Sequence, residues 1–248
     1  MLAILGGTGL DQLSNLEISH REVVRTPYGE PSGALTFGKI NSCEIVFLAR
    51  HGYGHTIPPH QVNYRANIWA LHAQKVSRIV SVGSVGGIRS DLVPGTIVIP
   101  HQLIDYTHGR AYTFFDGSNK IVTHVDFTEP YCEKLRQSIL DAAKNVDETI
   151  VDGSIYAATQ GPRLETAAEI NRLEHDGADV VGMTGMPETA LAKELGLSYA
   201  SISVIANYAA GRGTNTHVIR LQDIGVVLES AMKRVRKILE KLVNSNGC

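Results

Sequence analysis

The 248-residue chain carries 23 Lys and Arg against 25 Asp and Glu, a net charge of −2. That balance removes the electrostatic case for a nucleic-acid or membrane-surface protein, which would show a basic excess. With 43% hydrophobic residues there is ample material for a core, and at this length an α/β chain is ordinary as a single unit, so one domain over residues 1–248 is expected.

Three cysteines, Cys43, Cys132 and Cys248, form no CxxC pair and leave an odd one over. No disulfide framework and no zinc site follow from them, and a reducing, cytoplasmic setting fits best. The opening run Met1–Leu5 passes straight into glycines, unlike a signal peptide. No stretch approaches the roughly 18 apolar residues of a membrane-spanning helix.

In chain order, short apolar runs end in glycine turns. Leu2–Leu5 leads into Gly6-Gly7-Thr8-Gly9, Glu44–Ala49 into Arg50-His51-Gly52, and Arg78–Val82 into Gly83-Ser84-Val85-Gly86-Gly87. Thr96–Ile99 stops at Pro100, Ser154–Thr159 precedes Gln160-Gly161-Pro162, and Tyr199–Ala206 precedes Asn207. Near-continuous apolar strands belong to a sheet covered on both faces. Helices are predicted over Tyr64–Gln74, Glu133–Ala143, Glu165–Leu173 and Pro187–Glu194. The clearest is C-terminal, where Ile224, Val227, Leu228, Ala231, Val235, Ile238, Leu239 and Leu242 recur at helical spacing. The alternation predicts a single three-layer α/β domain with a central, mixed, largely buried sheet flanked by helices.

Six segments could carry chemistry. Gly6-Gly7-Thr8-Gly9 offers backbone N–H groups and a hydroxyl to an anion; it matches neither G-x-G-x-x-G nor a P-loop, and a plain turn explains it as well. Arg50-His51 pairs a permanent cation with a hydrogen-bonding imidazole. His55 and His60 lie close in sequence, but Gly52 and Gly54 forbid a helical metal-ligand spacing, and no metal is expected. Gly83-Ser84 repeats the glycine turn at a strand end, where ligands of open α/β sheets gather. Glu165 is placed in the first turn of a helix, where it would also simply favour the dipole. Met183 and Thr184 lie in Gly182-Met183-Thr184-Gly185-Met186-Pro187-Glu188, which reads equally as a proline-started helix with Met183 as core filler. Asn207 ends the longest strand and suits a turn too. No nucleophile elbow is present; anion cradles with neutral polar groups suit a substrate that brings its own nucleophile.

Taken together, Gly6-Gly7-Thr8-Gly9-Leu10, Ala49-Arg50-His51-Gly52, Val62-Asn63-Tyr64-Arg65-Ala66-Asn67-Ile68-Trp69-Ala70-Leu71, Gln160-Gly161-Pro162-Arg163 and Gly182 to Glu188 resemble the trimeric purine nucleoside phosphorylase family, in particular its branch acting on 5′-methylthio nucleosides. The resemblance covers nearly the whole chain. It implies cleavage of an N-glycosidic bond by inorganic phosphate, a co-substrate, with no cofactor. It also implies a homotrimer. By resemblance Thr8, Arg50, His51, Ser84 and Thr184 hold phosphate, and Met183 lies under the ribose. Adenine-specific branches place Asp in the segment held here by Asn207-Tyr208-Ala209, whereas 6-oxopurine branches carry Glu and Asn at the positions of Glu165 and Asn207. A 6-oxopurine presents N1–H to a carboxylate and O6 and N7 to an amide. Catalytic roles are therefore expected for Asn207, Glu165 and His51. Leu221 stands where inosine and guanosine phosphorylases place a His, so with Ile224 it makes an apolar wall for a methylthio group. His124 matches a His supplied by a neighbouring subunit. Two positions depart from relatives: Gly83-Ser84 replaces Asn or Thr followed by Ala, and Leu164 replaces a Phe packed on the purine. The expected reaction is phosphorolysis of a 5′-methylthio 6-oxopurine nucleoside; the rivals are inosine/guanosine or methylthioadenosine phosphorolysis, or a silent nucleoside-binding module.

Overall fold

A computed structural model describes residues 1–10, 13, 15–117 and 121–245, apart from the side chains of Leu221, Asp223 and Ser245. The strands are β1 (Leu2–Gly6), β2 (Glu17–Glu22), β3 (Leu35–Ile40), β4 (Cys43–Ala49), β5 (Arg78–Gly87), β6 (Ile97–Ile99), β7 (Gln102–Asp105), β8 (Val151–Asp152), β9 (Ile155–Ala158), β10 (Val180–Gly182) and β11 (Ser198–Tyr208). The α-helices are α1 (Tyr64–Ala73), α2 (Glu133–Lys144), α3 (Ala167–His175), α4 (Glu188–Glu194) and α5 (Leu221–Ser245).

These strands form one mixed sheet in the order β2-β3-β4-β1-β5-β10-β9-β7, with β11 also on β5 and followed by β6 and β8. Alternation along the central strands divides the core. Leu2 and Ile4 of β1, Ile45 and Phe47 of β4, and Val80 and Val82 of β5 face α2 and α5. Ala3, Leu5, Val46, Leu48 and Ile79 face α1 and α4. The expected three-layer α/β architecture is what forms. The stripe Leu228, Ala231, Val235, Ile238, Leu239 and Leu242 is the buried face of α5. Among the described residues no helix is long and apolar enough to cross a membrane.

Three expectations need correction. Helix α3 starts at Ala167, not Glu165, because Thr166 caps it: its hydroxyl accepts from Glu169 N at 3.1 Å while the Glu169 carboxylate accepts from Thr166 N at 2.7 Å. This reciprocal box satisfies the first turn with Glu169, which releases the Glu165 carboxylate from helix duty. The run Gly83-Ser84-Val85-Gly86-Gly87, expected as a turn, continues β5 instead, because β11 pairs alongside it as far as Gly87. Cys43 is disulfide-bonded, whereas Cys132 is free.

Leu239 lies on the core face of α5 and is fully buried. Leu239→Ala is expected to cost about 2–5 kcal/mol; equilibrium urea unfolding should show a lower midpoint with an unchanged slope.

Candidate active site

Strand β5 is paired along one edge by β11 from Arg78 to Gly87. Its other edge is shared. β1 covers Arg78–Val82, and β10 arrives antiparallel only at Gly86 and Gly87. Residues 83–85 therefore face a gap. Gly7 N donates to Val82 O at 2.9 Å, the last bond before the gap. Because alternate residues of a strand point their N–H and C=O to the same edge, Ser84 presents its backbone to the gap as Val82 does to Gly7.

The gap opens into a cavity of about 510 Å³. Thr8 after β1, Arg50 and His51 after β4, Gly83 and Ser84 in β5, and Thr184 after β10 line one part. Leu164, Glu165, Met183, Asn207 and Ile224 line the rest, with Ile57, Pro59 and Ile219. Ten of the twelve sequence-predicted site residues thus converge. His124 is exposed and does not line this cavity within one chain. The Leu221 side chain lies outside the described residues.

Arg50 is fully buried. Its Nε and Nη2 grip the Glu188 carboxylate at 2.6 and 2.9 Å, Nη2 also donates to Ser81 Oγ at 2.6 Å, and Nη1 donates to Val82 O at 3.1 Å. One Nη1 hydrogen is left for the cavity. Glu188 in turn accepts from the Tyr199 hydroxyl at 2.7 Å. Gly7 is obligatory beside this pair: a Cβ there would sit 2.6 Å from Arg50 Nη1. The carboxylate raises the Arg50 pKa above its already high value, against the desolvation that opposes its charge.

His51 is buried, and its Nδ1 lies 2.8 Å from Ile57 O. A carbonyl only accepts, so Nδ1 carries the proton and Nε2 of the neutral ring offers a lone pair. Burial first, and the Arg50 charge second, push its pKa down to about 4.

On the opposite wall Thr159 Oγ1 donates to Glu165 Oε1 at 2.7 Å, leaving Oε2 for a ligand. Asn207 sits beside a β-bulge at the end of β11. One hydrogen of its amide goes to Tyr208 O at 2.6 Å; the other, and Oδ1, remain. Met183 is wedged against Gly161, where φ is +62° and a Cβ would lie 2.5 Å from Sδ. Leu164 is 39% exposed at the rim.

A model of the phosphorylase superfamily matches residues 1–244. The chain belongs to that superfamily. A Pseudomonas syringae protein named as a probable S-methyl-5′-thioinosine phosphorylase is 48% identical over 244 residues, 98% of each chain. A probable 6-oxopurine nucleoside phosphorylase of Thermococcus kodakarensis is 46% identical, covering 95% of this chain and 93% of its own. The solved methylthioadenosine phosphorylase of Schistosoma mansoni, in complex with adenine, superposes with a TM-score of 0.94 at 33% identity, covering 99% of this chain and 91% of that one.

Sequence reasoning missed Glu188, Ser81, Tyr199, Thr159 and Tyr156. Glu188 belongs to the segment that reads as a proline-started helix; its burial and its partner 138 positions away leave no local signal. Tyr156 lies under Gly182, where a Cβ would strike its hydroxyl, and that hydroxyl accepts from Thr184 N at 3.3 Å. A glycine flanking a strand hints at such a close approach without naming the neighbour.

The low His51 pKa fixes an acid response. Between about pH 6.5 and pH 4 the unfolded chain binds a proton that the folded one refuses, so this contribution is complete above 6.5 and lost as pH falls through that window. His51→Asn should flatten that part of the stability curve in urea titrations; a His51 ring that titrates near 6.5 by NMR would contradict the structure.

Proposed function

We propose that the chain catalyses phosphorolysis of a 5′-methylthio 6-oxopurine nucleoside: S-methyl-5′-thioinosine and inorganic phosphate give hypoxanthine and 5-methylthioribose 1-phosphate. The observation that carries this reading is the single cavity in which an anion-binding wall, Thr8, Arg50, His51, Ser84 and Thr184, faces a carboxylate and an amide, Glu165 and Asn207. The relatives at 48% and 46% identity are named for methylthioinosine and for 6-oxopurine nucleosides, which supports the same base.

In the proposed reaction the C1′–N9 bond breaks as a phosphate oxygen bonds to C1′ from the opposite face. Positive charge grows on the sugar, and the adjacent anion stabilises it while being held ready to attack. The departing base keeps the N9 electron pair and takes a proton from water, balanced by the proton that the hydrogen phosphate ester product releases. Donation by the Asn207 amide to the five-membered ring favours that charge, and Glu165 Oε2 accepts N1–H. Adenine has a lone pair at N1, which the carboxylate repels. Ile219 and Ile224 give the 5′ end an apolar wall on which a thioether is stable and a hydroxyl is unpaired. No cofactor is needed. The proposed enzyme is a cytoplasmic homotrimer, with exposed His124 closing a neighbour's cavity.

A panel of methylthioinosine, methylthioadenosine, inosine and guanosine, each with and without phosphate, tests the proposal. Hypoxanthine should appear only with phosphate, and fastest from methylthioinosine. Preference for methylthioadenosine would overturn the base assignment, release without phosphate would indicate a nucleosidase, and no release with any nucleoside would indicate a binding module. Glu165→Gln should cost about 10–100-fold in kcat/KM for methylthioinosine, the value of a hydrogen bond to a charged group, and less for methylthioadenosine.

A further inference from the structure

Arg110 lies between β7 and α2, is only 7% exposed, and unlike Arg50 has exclusively neutral hydrogen-bond partners. Its Nη1 donates to Met183 O at 2.8 Å and Met186 O at 2.5 Å, the carbonyls on either side of Thr184. Its Nη2 donates to Gln160 O at 2.8 Å and Thr159 O at 3.3 Å, and Nε to Gln160 Oε1 at 3.2 Å, all on the segment that leads to Glu165. Nη1 also reaches the Tyr64 hydroxyl at 3.2 Å, which itself donates to Pro59 O at 2.8 Å. Pro59, Met183 and Glu165 all line the cavity.

We infer that Arg110 is a positioning residue that fixes the Glu165 wall at its working distance from the Met183–Thr184 wall. The inference rests on the phosphorolysis proposed above. The two loops share no sheet ladder beyond Gly182, where β10 and β9 end together; past that point the guanidinium fork spans them. A planar group with donors in fixed directions sets the separation of several carbonyls, which a flexible ammonium cannot do. A buried arginine bound to carbonyls also supplies polar partners that those loop groups would otherwise lack. A reaction that needs base and anion gripped at once is sensitive to that separation, since a misplacement of about 1 Å can cost about 100-fold.

The test compares wild type, Arg110→Met, Arg110→Lys and Arg136→Met, with melting temperature and full kinetics in methylthioinosine and phosphate. Arg136 is the control: also buried, at 3% exposed, it pairs with Glu133 and Asp152 and donates to Pro100 O at 2.8 Å and Ile99 O at 3.2 Å, none of which lines the cavity. At saturating concentrations of both substrates, well below each variant's melting point, kcat should fall about 100-fold in Arg110→Met and at least about tenfold in Arg110→Lys. Arg136→Met should melt lower with kcat unchanged. Should Arg110→Met not fold, Arg110→Lys decides. A folded Arg110 variant with wild-type kcat, or kcat losses in Arg110 and Arg136 variants that merely track their melting points, overturns the inference. A wild type that releases no base with phosphate overturns the proposed function instead, so the two failures are separable.

Discussion

The cavity exists because β5 is left without a neighbour over three residues of one edge. β1 must leave the sheet after Gly6, since Leu10 N folds back onto Gly7 O at 2.9 Å and Gly9 takes a φ of +82°. β10 then approaches from the other end and stops at Gly86. Strand polar groups without a ladder partner cost about 1–3 kcal/mol each when they are also kept from water. A gap of this kind is stable only if it stays wet or holds a polar ligand. The loops after β1, β4 and β10 and the loop before α3 all deliver side chains to this same space.

Charge in that space is arranged more sparingly than the motifs suggest. Arg50 looks in sequence like a free cation for an oxyanion, yet its fork is bidentate on Glu188, a carboxylate as deeply buried as itself. Removing one member of such a pair leaves an uncompensated interior charge, so the pair is fixed in place by its own electrostatics. What Arg50 offers the cavity is one directed hydrogen on a neutralised group. The remaining anion-side groups are hydroxyls, a backbone N–H and a neutral imidazole. An anion held by hydrogen bonds in this way is well oriented without being trapped by net charge.

The layered fold was legible from alternating apolar runs and the α5 stripe, because burial imposes periods that any sequence must obey. The residues after β1, β4 and β10 were legible as glycine turns at strand ends, whereas Gly83 and Ser84 lie inside β5, and the resemblance supplied the order of the segments. What could not be read lies in long-range pairing. Glu188 and Tyr199 act through Arg50, Thr159 through Glu165, and Arg110 through four carbonyls; main-chain acceptors have no residue identity, so nothing in the sequence marks Arg110 as their partner. The start of α3 was misplaced by two residues because Glu165 and Glu169 compete for the same helix-start role, and only the Thr166 box decides between them.

The tautomer of His51 has a consequence for the proposed reaction. With Nδ1–H committed to Ile57 O and a pKa pushed down to about 4, the ring at neutral pH can only accept at Nε2. An unprotonated phosphate oxygen placed there would meet a lone pair; a P–OH would donate to it. Hydrogen phosphate has one such hydroxyl, and turning it towards His51 leaves its three bare oxygens for Thr8, Ser84, Thr184 and the anomeric carbon. The imidazole then sets the rotation of the anion rather than its charge, and the attacking oxygen is one that has no proton to lose.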